Sequence, residues 1–132
     1  VRVWDWAAGR LVYTLNSSGT EVLAYAPFSL YLLTSGANGL EVAEASDGRG
    51  LQTLPISGQF VSAAFSPDGS LLVTTAFAGG VTLWDTSQWH GADIRRAELA
   101  AGSSILSAAW TPDSRLLLLV DAYGSIQVWG VR

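Results

Sequence analysis

His90 is the only histidine in the chain, and it is the first residue to consider for catalysis or metal binding. The chain has no cysteine, so a zinc site of the usual His/Cys type is excluded, as are disulfide bonds. A Ser-His-Asp arrangement would combine His90 with Asp93 and a serine, but no G-x-S-x-G motif presents a nucleophilic serine. The sequence therefore predicts no catalytic residue, no metal site and no cofactor, and we expect a protein that is not an enzyme.

Two glycine-containing segments are candidates for phosphate-binding loops. GANG (36–39) and FAGG (77–80) lack the Lys-Ser/Thr pair that a P-loop requires, so both are predicted to be turns.

The formal net charge is −4, and Arg95-Arg96 is the only adjacent pair among seven arginines. Nucleic-acid binding normally needs clustered basic residues, and a membrane-spanning helix needs roughly 18 consecutive apolar ones. We expect neither nucleic-acid binding nor membrane insertion.

Three landmarks recur along the chain with a common period. The first is a proline two residues after an aromatic residue, at Pro27, Pro67 and Pro112, spaced 40 and 45 residues apart. The second is the series of endings VRVWD, LEVAE, VTLWD and IQVWG, which aligns Trp4, Ala43, Trp84 and Trp129. The third is a leucine that follows each of the first three endings, at Leu15, Leu54 and Leu99. The segment AFSPDGSLLVTTAFAGGVTLWD (64–85) is therefore one copy of a repeat of roughly 40 residues.

Each repeat predicts four short strands. The first strand alternates its faces, as in 61–65, and the turn SPDGS (66–70) follows with a proline and a glycine at favourable positions. The second strand, LLVTT (71–75) in this copy, is apolar on both faces, so both faces must be covered. Radial repetition of such a sheet covers each face with the neighbouring sheet.

The period, the SPDG turn and the Trp-Asp endings resemble WD40 repeats of β-propellers. The residues that carry this resemblance are Trp4, Asp5, Pro67, Asp68, Gly69, Trp84, Asp85, Trp110, Pro112 and Trp129. The resemblance implies an all-β fold, a partial β-propeller of four-stranded antiparallel blades with about three blades present. Its parts would be a partial blade at 1–15, blades at 21–54 and 60–99, and a partial blade at 105–130. Closed propellers have about four to eight blades, so the remaining blades of the ring are an expected partner.

The sequence departs from the WD40 pattern at the residues that form a buried hydrogen-bonded tetrad in that family. The histidine positions of the tetrad correspond to Asn16, Ile56 and Ala101, and the aspartate positions to Ala37, Ala78 and Tyr123. The second copy also lacks the tryptophan, with Ala43 in its place. We therefore expect the blades to depend on apolar packing more than on this polar network.

One insertion breaks the period. Trp84 and Leu99 are 15 positions apart, against 11 for the corresponding pairs in the first two copies, so residues 86–98 contain four extra residues. Insertions in repeat proteins map to loops on one face, which is often the binding face. The candidate partner-contact residues are Trp89, His90, Arg95 and Arg96 of this insertion, together with Tyr123 of a later turn. In the alternative interpretation, Trp89 folds back over the blade edge and the arginines are solvated or pair with nearby acids.

The resemblance implies a non-catalytic scaffold that binds other proteins within a larger assembly. Within the family, the segments 66–89 and 110–120 are similar to the propeller of a nuclear-pore component. Two alternatives stay open: a structural component of a ciliary or centriolar assembly, and the sensor propeller of a bacterial signalling protein. We expect an intracellular location, in the cytoplasm or at the nuclear envelope and its pores.

Overall fold

A computed structural model describes residues 1–15, 22–29, 31–36, 39–56, 59–77, 79–89 and 94–131. Within these residues the chain forms strands and two short 3-10 turns, Pro27–Ser29 and Thr86–Gln88. The strands are β1 (Arg2–Asp5), β2 (Arg10–Thr14), β3 (Val22–Tyr25), β4 (Tyr31–Gly36), β5 (Gly39–Glu44), β6 (Gly50–Leu54), β7 (Phe60–Phe65), β8 (Leu71–Ala76), β9 (Gly80–Asp85), β10 (Arg95–Ala100), β11 (Ile105–Trp110), β12 (Leu116–Asp121) and β13 (Ile126–Gly130). The predicted all-β class is confirmed.

The strands form four sheets in which each strand pairs with its neighbour in sequence. The orders are β1-β2, β3-β4-β5-β6, β7-β8-β9-β10 and β11-β12-β13, and each pairing is antiparallel. We call them sheets 1 to 4. The chain divides into two compact units, Val1–Pro55 with sheets 1 and 2, and Ile56–Arg132 with sheets 3 and 4.

In the second unit, sheets 3 and 4 pack face to face around one apolar core. Every residue of β8 is buried, as its pattern of apolar residues on both faces requires. The core joins residues of β8 and β9 to residues of β11 and β12, among them Val73, Leu83, Leu117 and Leu119. The Trp110 indole also donates a hydrogen bond of 3.0 Å to the carbonyl oxygen of Ala64, across the two sheets.

In the first unit, β4 and β5 supply the fully buried residues Leu32, Leu33 and Val42. The hydroxyl of Tyr13, on sheet 1, donates a hydrogen bond of 2.7 Å to the carbonyl oxygen of Ala45, in the turn after β5. Burial of the Tyr13 phenol, together with its charged and phenolic neighbours, raises its pKa. This contact holds sheet 1 against the turn of sheet 2.

The proline turns of sheets 3 and 4 have the same hydrogen-bond pattern. In the first, Ser66 Oγ donates to Asp68 at 2.6 Å and accepts from Leu71 N at 3.0 Å. In the second, Thr111 Oγ1 donates to Asp113 at 2.6 Å and accepts from Leu116 N at 3.0 Å. The left-handed position that follows each aspartate is Gly69 in one turn (φ 73°) and Ser114 in the other (φ 60°). The two repeats thus have the same hydrogen bonds around their serine or threonine and aspartate, as well as similar sequences.

These turns predict a loss of stability in acid. The hydroxyl of Ser66 and backbone N–H of Ser70 lower the pKa of Asp68, and equivalent groups of Thr111 and Arg115 lower the pKa of Asp113. A carboxyl whose pKa is lower in the folded state stabilises the fold above its unfolded pKa of about 3.9, and this contribution is lost as the pH falls through the folded pKa. We expect the free energy of unfolding, measured by urea titration, to fall as the pH drops below about 4.

The double variant Asp68→Asn/Asp113→Asn distinguishes the pH-dependent stability that comes from these two turns from that of the other carboxyl groups. It should be less stable than the wild type at neutral pH and should lose less stability between neutral pH and acid. Two curves that run parallel across the whole pH range would contradict this role of the turns.

Candidate functional site

The insertion after β9 begins with a turn that its own side chains cap. Asp85 accepts hydrogen bonds from the N–H of Ser87 at 2.9 Å and from its hydroxyl at 2.5 Å. The hydrogen bonds from Ser87, and the positive charge of Arg96, lower the pKa of Asp85. Thr86 is buried, and its N–H donates to the carbonyl oxygen of Ser70 at 3.0 Å, so the insertion is fixed to the proline turn of the same sheet.

Trp89 lies inside the blade in this structure. Its side chain is 3% exposed, and its ring meets that of Phe65 edge to face with a centroid distance of 6.5 Å. Ile94 is also buried, and its carbonyl oxygen accepts a hydrogen bond of 2.8 Å from Asp85 N. This geometry matches the packing alternative, because a partner cannot reach a buried indole without opening the loop.

The two arginines of the insertion are exposed at the start of β10. The guanidinium carbon of Arg95 lies 5.5 Å from the centroid of the Trp84 ring, and its Nη1 pairs with Glu98 at 2.5 Å. Trp84 itself is buried, and its Nε1 donates a hydrogen bond of 2.9 Å to Thr74 Oγ1. The Trp–Thr part of the WD40 polar network is therefore present in this sheet, although the sequence indicated that the network as a whole was lost.

Tyr123 and the insertion lie at opposite ends of the second unit. Asp68 N donates to Ser114 Oγ at 3.1 Å, so the two proline turns are neighbours, and the insertion contacts the first of them. We call this end, with turns 66–70 and 111–115 and the described residues 86–89 and 94–98 of the insertion, the proline-turn end. Tyr123 belongs to the turn between β12 and β13, where its side chain is 86% exposed. The sequence-predicted contact residues thus divide between opposite ends of the unit.

The turn that carries Tyr123 is organised by a buried acid that sequence reasoning missed. Asp121 accepts hydrogen bonds from the N–H groups of Ser125 at 2.8 Å and Tyr123 at 2.9 Å, and from Ser103 Oγ at 3.0 Å. Hydrogen bonds from Ser125 and these other donors lower its pKa. The spacing of Asp121 from Tyr123 and Ser125, as in an Asx-type turn, is the signal that could have identified it.

Several residues singled out in the sequence fall outside the described part of the chain. They are His90 and Asp93 of the insertion, and Asn16, Ala37 and Ala78 of the tetrad positions. Among the described residues, no group of three or more His, Cys, Asp or Glu side chains is arranged to hold a metal ion. No helix in the described part of the chain is long and apolar enough to cross a bilayer.

A cavity of about 610 Å³ in the first unit is a second candidate site, and the sequence did not predict it. Sheet 2 forms most of its lining, and the end of β2 completes it. Ala43, where the repeat pattern would place a tryptophan, is one of the lining residues. The missing tryptophan at Ala43 was thus the feature of the sequence that could have indicated the cavity.

Comparison with known proteins supports the propeller fold. The WD domain, G-beta repeat family matches residues 48–85. A chain in a crystal structure of the mitotic checkpoint complex superposes with a TM-score of 0.79 at 22% sequence identity. The superposition covers 98% of this chain and 42% of that chain, so this chain spans less than half of its structural neighbour. No curated protein matches the sequence. The fold is a partial WD40 propeller, as the resemblance implied.

The position of Trp84 predicts a large effect on stability. Trp84→Ala should lower the free energy of unfolding by about 3–5 kcal/mol, because a buried aromatic side chain and its packing are lost. Urea or thermal unfolding measures the change. Trp6→Ala is the matched control, because Trp6 is 91% exposed and its removal should change stability by less than about 0.5 kcal/mol. Equal effects of the two substitutions would refute the assignment of Trp84 to the core.

Proposed function

We propose that this chain is part of a non-catalytic propeller scaffold that binds other proteins within a larger assembly, and that the proline-turn end is a contact surface. WD40 propellers typically act as protein-interaction scaffolds. The observation that carries the proposal for this chain is the position of Arg95, which is exposed but held over Trp84 and beside Glu98. A positioned arginine loses less conformational freedom on binding than a mobile one, and arginine is enriched at interface hot spots.

The surroundings of Arg95 favour a protein partner. Arg96, the next residue of β10, is also exposed, and the neighbouring turns add the exposed acids Asp68 and Asp113. Charges of both signs therefore lie at one end of the unit. Such a surface suits a partner with complementary charges of both signs, whereas a polyanion such as nucleic acid would meet the acids as well as the arginines.

The proposal is tested by mutating the arginines in the protein as its native cells express it. Affinity-tagged wild type and Arg95→Gln/Arg96→Gln are purified from native cells, and co-purified proteins are quantified by mass spectrometry. We expect at least one partner to fall about tenfold, which corresponds to roughly 1.4 kcal/mol, while the melting temperature is maintained. Tyr123→Ala, at the opposite end of the unit, is the control and should retain that partner. An unchanged set of partners in the double variant would contradict this role of the proline-turn end.

We further propose an intracellular location, with the nuclear pore as the assembly. Support for this comes from the sequence alone, because the segments 66–89 and 110–120 are similar to the propeller of the nuclear-pore protein aladin. The protein, fluorescently tagged at its own locus, should therefore be concentrated at the nuclear rim. Concentration at cilia or centrioles would favour a structural component of those assemblies. If the protein comes from an organism whose cells have no nucleus, the bacterial signalling alternative is favoured. Either result contradicts the nuclear-pore proposal.

A further inference from the structure

One end of the second unit carries no exposed charge. It lies opposite the proline-turn end and holds the turn from β8 to β9, the connection from β10 to β11 and the turn from β12 to β13. Phe77 is 61% exposed there, and Tyr123 is 86% exposed. The one charged side chain among the described residues of this end is that of Asp121, which is buried. We call this end the aromatic end; its described residues are 59–61, 76, 77, 79–82, 99–105 and 120–127.

The turns that carry the two aromatic residues contact the same segment, 102–104. On the side of sheet 3, a Cβ on Gly79 would lie 2.6 Å from the carbonyl oxygen of Ser103. On the side of sheet 4, Ala122 N donates a hydrogen bond of 2.9 Å to the carbonyl oxygen of Ser104. The two turns therefore belong to one continuous surface.

The backbone that carries each aromatic ring is held by a hydrogen bond. Phe77 N donates one of 2.7 Å to the carbonyl oxygen of Gln59, and Tyr123 N donates one of 2.9 Å to Asp121. Gly102 of the shared segment is exposed, and a Cβ there would meet no atom within 4 Å, so the surface stays open at this residue. Aromatic side chains on a fixed backbone lose little conformational freedom on binding, which makes them favourable contacts for a partner.

The spacing of the two turns suits one conformation of peptide. β8 and β12 are the second strands of sheets that pack face to face, and such sheets lie about 10 Å apart. A polyproline II helix has three residues per turn and rises roughly 3.1 Å per residue, so its side chains repeat about every 9 Å. Prolines three residues apart can therefore contact Phe77 and Tyr123 at the same time.

The chemistry of the aromatic end favours an uncharged segment of this kind. An ionised side chain would lose water there without gaining an opposite charge. The carbonyl oxygens of a polyproline II segment make no hydrogen bonds within the segment. The hydroxyl of Tyr123 makes none to the described part of the chain, so it can donate to one of these oxygens. Because the polyproline II helix is already formed before binding, it loses little conformational entropy when its prolines pack on aromatic rings.

We propose that the aromatic end binds a proline-rich segment of a partner protein in the polyproline II conformation. Two prolines of the segment, three residues apart, pack on Phe77 and Tyr123, and the Tyr123 hydroxyl donates a hydrogen bond to one of its carbonyl oxygens. This surface contains none of the arginines of the proline-turn end, so the proposal does not depend on the contact surface proposed above.

The test titrates the full chain with two peptides of the same length, blocked at both ends, by isothermal calorimetry. One is nonaproline, which is a preformed polyproline II helix. The other repeats Leu-Ser-Ala three times, so it places apolar side chains three residues apart on a flexible chain. We expect nonaproline to bind at least about tenfold more tightly. If nonaproline does not bind, or if the leucine peptide binds equally well, the proposal is wrong.

Variants of the aromatic residues locate the binding. Phe77→Ala and Tyr123→Ala should each weaken nonaproline binding about tenfold, and Tyr123→Phe, which keeps the ring and loses the hydroxyl, about threefold. Trp6→Ala is the matched control, because it removes an exposed aromatic side chain from the first unit and should bind as the wild type does. Arg95→Gln/Arg96→Gln should also bind nonaproline normally. Wild-type affinity in both alanine variants of the aromatic end, or loss of binding in the arginine variant, would overturn the proposal.

Discussion

The need to cover both faces of the second strand in each repeat determines the rest of this structure. All six residues of β8 are buried, and Leu32 and Leu33 of β4 are fully buried although they point to opposite sides of their sheet. One sheet in water exposes a face, so such strands require a sheet or another element on each side. In the second unit, sheet 4 provides this cover for one face of sheet 3. The outer face of sheet 4 leaves Leu116, Ile126 and Val128 exposed, and its cover by remaining blades stays a prediction.

The polar interactions of the repeats are more variable than the apolar ones. The proline turns of sheets 3 and 4 share their main hydrogen bonds, with Ser66 and Thr111 in equivalent roles. In the second repeat, Ala26 and Phe28 replace the serine and the aspartate, and the positive φ falls on Phe28 instead. The backbone hydrogen bond that closes the turn is nevertheless kept, from Ala26 N to the carbonyl oxygen of Tyr31 at 2.9 Å. The backbone hydrogen bond between the two strands therefore closes the turn in each repeat, and the hydrogen bonds of the serine or threonine and aspartate side chains add to its stability.

The sequence was sufficient for the fold and insufficient for the sites. Regular spacing of Pro67, Trp84 and their counterparts predicted the strands, because a two-residue alternation between turn residues is a local property. The burial of Trp89 was left open, since it depends on the insertion turning back against Phe65, a contact between residues 24 positions apart. The cavity was missed because its volume depends on how sheet 1 lies against sheet 2, which no local pattern encodes. The missing tryptophan at Ala43 was visible in the sequence, but its consequence was not.

The pair formed by Ala43 and Trp84 shows where a repeat can change without losing its fold. Both residues have the same partner position in their ladders, Leu32 and Leu72, and both of those leucines are fully buried. The sheet thus forms with either residue, because the ladder and the leucine layer do not require the indole. Once the indole is absent, polar residues can occupy the space around it, as Glu41 does in place of Thr82. The tryptophan position can therefore change, together with its polar neighbours, while the pairing of the strands is kept.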